Sequence, residues 1–190
     1  MKALPEATRA WVADLVRSAL WSDDRVRAEA IAAIEADHPE LPAEATADAW
    51  IAEADAGWRA DAATWPAVTD HDRLVEAFTR LERQGIVVLQ GVADHWVARD
   101  ELARRTPRPV GVAWFTPTDV WHAIDAGMLE VNLWHGSTAN AAPGDALLDD
   151  ALAAFAAAGL EAHFDEGRIE VAARWQRRPS RPAVPRGPNG

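Results

Sequence analysis

Residues 69–90 read TDHDRLVEAFTRLERQGIVVLQ, and a change of period inside this stretch decides the fold class. Thr69 followed by Asp70 and Asp72 is a helix N-cap signature, with acids in the first turn where the helix dipole favours them. Leu74, Ala77, Phe78 and Leu81 then recur at three- and four-residue spacing, the stripe of an amphipathic helix. Gly85 ends it. Ile86–Gln90 is a short run rich in β-branched residues, and it reads as a strand. A helix leading at once into a strand is the unit of a mixed fold, and the chain on either side can be read outward from it.

Toward the C-terminus the alternation continues. A helix is expected over Asp94–Arg105, broken by Thr106-Pro107-Arg108-Pro109, and a strand over Val110–Thr116. Thr116, Pro117 and Asp119 open the next helix with a cap residue, a first-position proline and a first-turn acid. Leu129–His135 alternates as a strand does, with Leu129, Val131 and Leu133 on one face and Glu130, Asn132 and Trp134 on the other. An Ala-rich helix ending at Ala158 points Leu148, Leu152 and Phe155 inward. A hairpin closes the unit, Glu161–Asp165 turning at Glu166-Gly167 into Arg168–Trp175, with Ile169, Val171, Ala173 and Trp175 on one face. Toward the N-terminus three helices are expected: Pro5–Leu20, one capped by Ser22 that ends before His38-Pro39, and one from Pro42 to Ala63 stopped by Pro66.

The expected class is therefore α+β. A mixed sheet of about five strands in the order β-α-β-α-β-α-β-β spans residues 67–178. A helical N-terminal segment, residues 1–66, precedes it as a lid or a small bundle. A disordered tail over 179–190, with four Pro and two Gly, follows it. Strands separated by helices are usually parallel neighbours, while the last hairpin must be antiparallel.

Composition narrows the function classes. The chain has 190 residues and is 49% apolar, but 42 of those residues are Ala, so ten Trp and four Phe must supply much of the core. Zero Cys removes disulfides, thiolate metal sites and cysteine nucleophiles. The net charge of −11 disfavours contact with nucleic acid or anionic lipid. Arg174, Arg177, Arg178, Arg181 and Arg186 cluster at the end, which reads as a solvated terminus before an anion grip. No apolar run reaches the ~20 residues of a membrane span, and the first ten residues lack a signal-peptide core. The expectation is a cytoplasmic protein with no cofactor, an unknown protein or small-molecule partner, and no nucleic-acid or membrane partner.

Trp65-Pro66, Val68-Thr69-Asp70, Asp72-Arg73-Leu74, Ala77-Phe78, Leu81, Gly85-Ile86-Val87, Leu89-Gln90, Arg168-Ile169 and Trp175-Gln176-Arg177-Arg178 together carry a resemblance. The chain resembles, over residues 10–178, an actinobacterial family of uncharacterised proteins, a domain of unknown function with an acidic helical N-terminal segment. The resemblance implies no activity. It also marks two departures, because Gly91–Trp96 stands where the family pattern is glycine-rich, and Trp114-Phe115-Thr116-Pro117 stands before Asp119 where it carries a Tyr-His pair.

Motifs for chemistry are sparse. Asp119 and His122 sit three apart on one helix, a spacing that could face a metal ion, but no His-Glu-x-x-His string supports a site. Ser137 lacks a nucleophile elbow, and no phosphate-loop glycine string occurs. Trp114 and Trp134, opposite their strands' aliphatic neighbours, are expected to cover a second packed face of the sheet before lining a pocket. In open α/β sheets ligands sit beyond the carboxyl ends of parallel strands. There the candidates converge: Asp94, His95, Asp119 and His135 for acid–base work, Gln90 and Thr116 for ligand contact. Asp72, Arg73, Arg168 and Arg178 carry two readings. Either the arginines form an anion site, or Asp72 caps its helix and an arginine braces the hairpin to it, the second being preferred. The function these features suggest is a non-catalytic binding or regulatory module; the alternative is a small cofactor-independent enzyme with its site on that rim.

Overall fold

The computed structural model describes residues 5–179, so most of the expected Pro/Arg tail lies outside the described residues. Three N-terminal helices, α1 (Pro5–Ser18), α2 (Asp23–Asp37) and α3 (Ala43–Ala62), precede α4 (Asp70–Arg83), β1 (Ile86–Leu89), α5 (His95–Ala103), β2 (Gly111–Trp114), α6 (Pro117–Asp125), β3 (Met128–His135), α7 (Ala146–Ala157), β4 (Glu161–Asp165) and β5 (Arg168–Ala172). The fold is α+β with a helical N-terminus and one mixed five-stranded sheet, as expected.

The decisive stretch forms as its chemistry dictates. Thr69 Oγ1 accepts a hydrogen bond from the Asp72 backbone N–H at 3.2 Å, and Asp72 Oδ2 accepts from the Thr69 backbone N–H at 2.8 Å. This reciprocal box satisfies two donors that the first turn would otherwise leave open. Hydrogen bonding from the Thr69 backbone is also the main reason the Asp72 carboxyl sits below its usual range. Leu74, Ala77, Phe78 and Leu81 are all buried. Gly85 adopts φ +80, the left-handed conformation that lets the chain turn from α4 into β1.

The strand order is β1-β2-β3-β5-β4. β1 and β2 are parallel, with Ile86 opposite Gly111. Contrary to expectation, β3 runs antiparallel to β2, with His135 opposite Gly111 and Asn132 opposite Trp114. The reason lies in α6. A parallel crossover needs a helix that returns the chain to the starting rim. The nine residues of α6 instead lead outward for about 13 Å. Gly127, at φ +74, then reverses the chain. Met128–Val131 cover that same distance coming back, before β3 meets β2. β5 therefore inserts beside β3, and β4 becomes the far edge.

One face of the sheet carries the main core. Leu129, Val131, Leu133, Ile169 and Val171 pack there with α4, α6 and α7, around Phe78, Phe115 and Phe155. α5 packs on the other face, where Ala98 and Leu102 meet Val112 and Trp114, with Val87 and Leu89 of β1 and Trp134 of β3 beside them. Trp114 and Trp134 stand edge to face there, 4.9 Å apart, so the second packed face expected of them is present. A separate small cluster of Val12, Ala30, Ile34 and Ala47 holds α1, α2 and α3 together.

The N-terminal helices and the sheet are in direct contact. Trp58 Nε1 donates to the Arg177 carbonyl at 2.8 Å, and Trp175 Nε1 donates to the Ser18 carbonyl at 3.0 Å. α1 also packs on α6, which brings Asp14 toward Asp125. Burial first, and the Asp125 charge second, push the Asp14 carboxyl up to about 6. The unfolded chain ionises Asp14 near 3.8 while the folded chain holds the proton to about 6. Stability present below pH 4 is therefore lost as the pH rises through 6. After discounting for its partial exposure, we expect Asp14→Asn to gain about 1 kcal/mol at pH 7.5 and nearly nothing at pH 3.5, by urea melts at both. His71 acts in the opposite sense. Desolvation first and Arg177 second lower it to about 4, so its neutral ring favours the fold above pH 6.5 and loses that advantage toward pH 4.

Candidate functional site

The expected rim divides in two. Gln90, Asp94, His95, Thr116 and Asp119 follow the carboxyl ends of β1 and β2 and share one rim. His135 does not join them. Because β3 is antiparallel, His135 lies beside Gly111 at the opposite rim, with Ser137. There its Nε2 meets Asp145 Oδ2 at 2.9 Å, a bond that is the main cause of the lowered Asp145 carboxyl.

The two carboxylates on the first rim are engaged in capping. Asp94 Oδ1 accepts from the backbone N–H groups of Trp96 at 2.8 Å and Val97 at 3.0 Å, at the start of α5. Asp119 is 8% exposed, and its Oδ2 accepts from Thr116 N at 2.7 Å and Thr116 Oγ1 at 2.8 Å. Asp119→Ala is accordingly expected to cost about 0.5–2 kcal/mol in a thermal or urea melt, the scale of a lost cap. Gln90 and His95 are exposed, and the His95 ring lies 4.5 Å from that of Trp96. Among the described residues no three His, Asp or Glu side chains gather where they could share a metal ion.

The expected tie from Asp72 to an arginine of the hairpin is made differently. Arg168 pairs with Glu130 on the neighbouring strand β3. Arg178 donates to the carbonyls of Ala62 at 3.0 Å and Pro66 at 2.5 Å, closing the end of α3. Asp70, not Asp72, reaches the C-terminal segment, its Oδ2 accepting from Arg174 N at 3.2 Å and its Oδ1 facing Arg73 at 3.3 Å.

A groove of about 600 Å³ lies elsewhere, between α1, α2, α3 and the segment that follows β5. That volume is within the range of small-molecule sites. Its apolar surface comes from Leu15 and Val16 of α1, Val26 of α2, Ile51 of α3, and the rings of Trp21 and Trp58. Local sequence explains the shape. Ala19, at φ +50, breaks α1, and Ser22 Oγ caps α2 by accepting from Arg25 N at 3.4 Å. The break leaves Trp21 half-buried at the mouth, with the Arg25 guanidinium 4.2 Å from its ring centroid. Arg27 bridges α2 to α3 through both oxygens of Asp48, at 2.7 and 3.2 Å. Arg59 pairs with Asp55 at 2.7 Å. Asp23 and Asp24 remain at the α2 end with no cation in ion-pair range among the described residues, and Arg177 stands on the segment after β5.

No sequence motif marks this groove, because its walls are drawn from positions 15–59 and 177–179. One signal was available. Trp21 belongs to neither apolar stripe and sits in the break between two helices, an unexpected place for so large a ring.

A family model described as Domain of unknown function (DUF6891) matches residues 2–179. The chain belongs to this family. The resemblance read from the sequence thus holds as membership of an uncharacterised domain family. The DUF6891 match takes in the helical segment, the sheet and every residue lining the groove. No curated protein and no solved structure matches the chain.

Proposed function

We propose that this protein is a non-catalytic binding module whose ligand lies in the groove between α1–α3 and the segment after β5. The observation that carries the reading is the groove itself: about 600 Å³, with Leu15, Val16, Val26, Ile51 and the rings of Trp21 and Trp58 on its walls among charged side chains. The rim residues offered for acid–base work support the same reading, since Asp94 and Asp119 are held by backbone donors at helix starts. With Arg27–Asp48 and Arg59–Asp55 paired, Asp23 and Asp24 face Arg177 as the remaining lining charges, an excess of one carboxylate. With a whole-protein charge of −11, this favours a mostly apolar ligand carrying a cationic group.

Ala52 lines the groove and is exposed, so Ala52→Trp fills the space without touching the core. Isolated from its own cells under non-denaturing conditions, the wild type is expected to carry a small molecule by native mass spectrometry, and Ala52→Trp to carry none. Equal loading of both proteins would exclude the groove as the site.

A further inference from the structure

We propose that the outer face of α5 and the loop after β3 form a second, independent site, for a small molecule that joins a phosphate to a planar ring. Arg99, Arg104, Arg105 and Arg108 fall within ten residues of a chain whose net charge is −11. Arg104 pairs with Glu101 at 3.1 Å. Arg99 and Arg108 have no carboxylate in ion-pair range among the described residues. Both line a pocket of about 240 Å³ with Ser137 and Thr138, on a floor that includes Leu102 and Gly136. Two arginines and two hydroxyl residues lining one small space supply a donor set suited to a phosphate.

The pocket is built, not incidental to loose side chains. Gly136 N donates to the Val110 carbonyl at 2.9 Å, and a Cβ on Gly136 would stand 2.2 Å from the Pro109 carbonyl oxygen. The loop is therefore pressed flush against the Arg108–Val110 segment. Thr138 holds φ +73, a conformation a β-branched residue rarely adopts, and its N–H donates to the His135 carbonyl at 2.8 Å. The strained turn sets both hydroxyl residues beside the arginines.

The ring preference comes from Trp96, one turn before Arg99 on α5. It is 58% exposed, and the Arg99 guanidinium lies 5.9 Å from its ring centroid. An exposed tryptophan beside an unpaired cation offers a stacking plate. Arg99 both lines the pocket and lies beside Trp96, so one side chain joins the two features. A phosphate in the pocket thus leaves a ring on the same molecule within reach of Trp96. The surrounding negative field selects against long polyanions, so this site and the expected lack of nucleic-acid binding agree.

The test uses the full chain, labelled with ¹⁵N, titrated with inorganic phosphate, phenyl phosphate and phenol. Phosphate is expected to shift the Arg99 and Arg108 side-chain signals and the Ser137 and Thr138 amides. Phenyl phosphate is expected to bind about three- to tenfold more tightly than phosphate, the value of one aromatic contact. Trp96→Ala should erase that difference and leave phosphate affinity unchanged, while Arg108→Gln and Arg99→Ala should each weaken both ligands severalfold. All three positions are exposed, and unchanged melting temperatures would show that the variants fold. Absence of saturable phosphate shifts at these residues below about 10 mM overturns the site. Equal affinity for phosphate and phenyl phosphate in the wild type overturns the ring preference.

Discussion

Trp175→Ala is expected to lower the unfolding free energy by about 3–5 kcal/mol, the scale for removing a large buried aromatic. Trp175 is 4% exposed, and four parts of the chain meet on it. Its backbone N–H donates to the Ala123 carbonyl of α6 at 3.1 Å, and its indole to the Ser18 carbonyl of α1 at 3.0 Å. Its ring stands edge-on to His71 at 4.8 Å and to Phe115 at 6.0 Å. Trp175→Phe keeps most of the ring contact and leaves the Ser18 carbonyl without its donor, a loss of about 1–3 kcal/mol. Urea denaturation of wild type and both variants gives the values. Because this one side chain joins helices to sheet, signals from both are expected to disappear in a single transition. A loss below about 1 kcal/mol for the alanine variant would mean that the joint lies elsewhere.

The second large effect is expected at Gly136. An added Cβ would stand 2.2 Å from the Pro109 carbonyl oxygen and 3.3 Å from Arg108 Cγ. The first clash is with backbone, and no rotamer change relieves it. The loop has to lift, breaking the bond from Gly136 N to the Val110 carbonyl. A cost of about 2–3 kcal/mol is expected from such overpacking, measured by the same melts. The lifted loop also carries Ser137 and Thr138 away from Arg108, so phosphate affinity should fall in parallel.

Elements whose signals are local were legible from residues alone. The capping box of Thr69 and Asp72, the stripe of Leu74 to Leu81 and the turn at Gly85 need only their neighbours to form. The same holds for the final hairpin, where Ile169, Val171, Ala173 and Trp175 are all buried, although regular pairing stops at Ala172. Strand direction was not legible. Both senses of β3 bury Leu129, Val131 and Leu133, and only the outward course of α6 chooses between them. That one reversal removed His135 from the rim where Asp94, His95 and Asp119 had been expected to meet it. The partner of Arg168 was hidden for a related reason, since Glu130 reaches it only through the register of β3 with β5. The groove was the least visible feature. It exists only after α1, α2 and α3 pack and the segment beyond Trp175 crosses them, so residues from both ends of the chain share its walls.

The central claim, a ligand groove bounded by Trp21, Ile51 and Trp58, is tested most directly by an NMR titration of the full chain with phenethylammonium, a cation on an aromatic body. Saturable shifts of the Trp21 indole and Ile51 methyl signals are expected, absent in Ala52→Trp and weaker for the anionic analogue phenylacetate. Unmoved Trp21 and Ile51 signals, or equal shifts in Ala52→Trp, would contradict it.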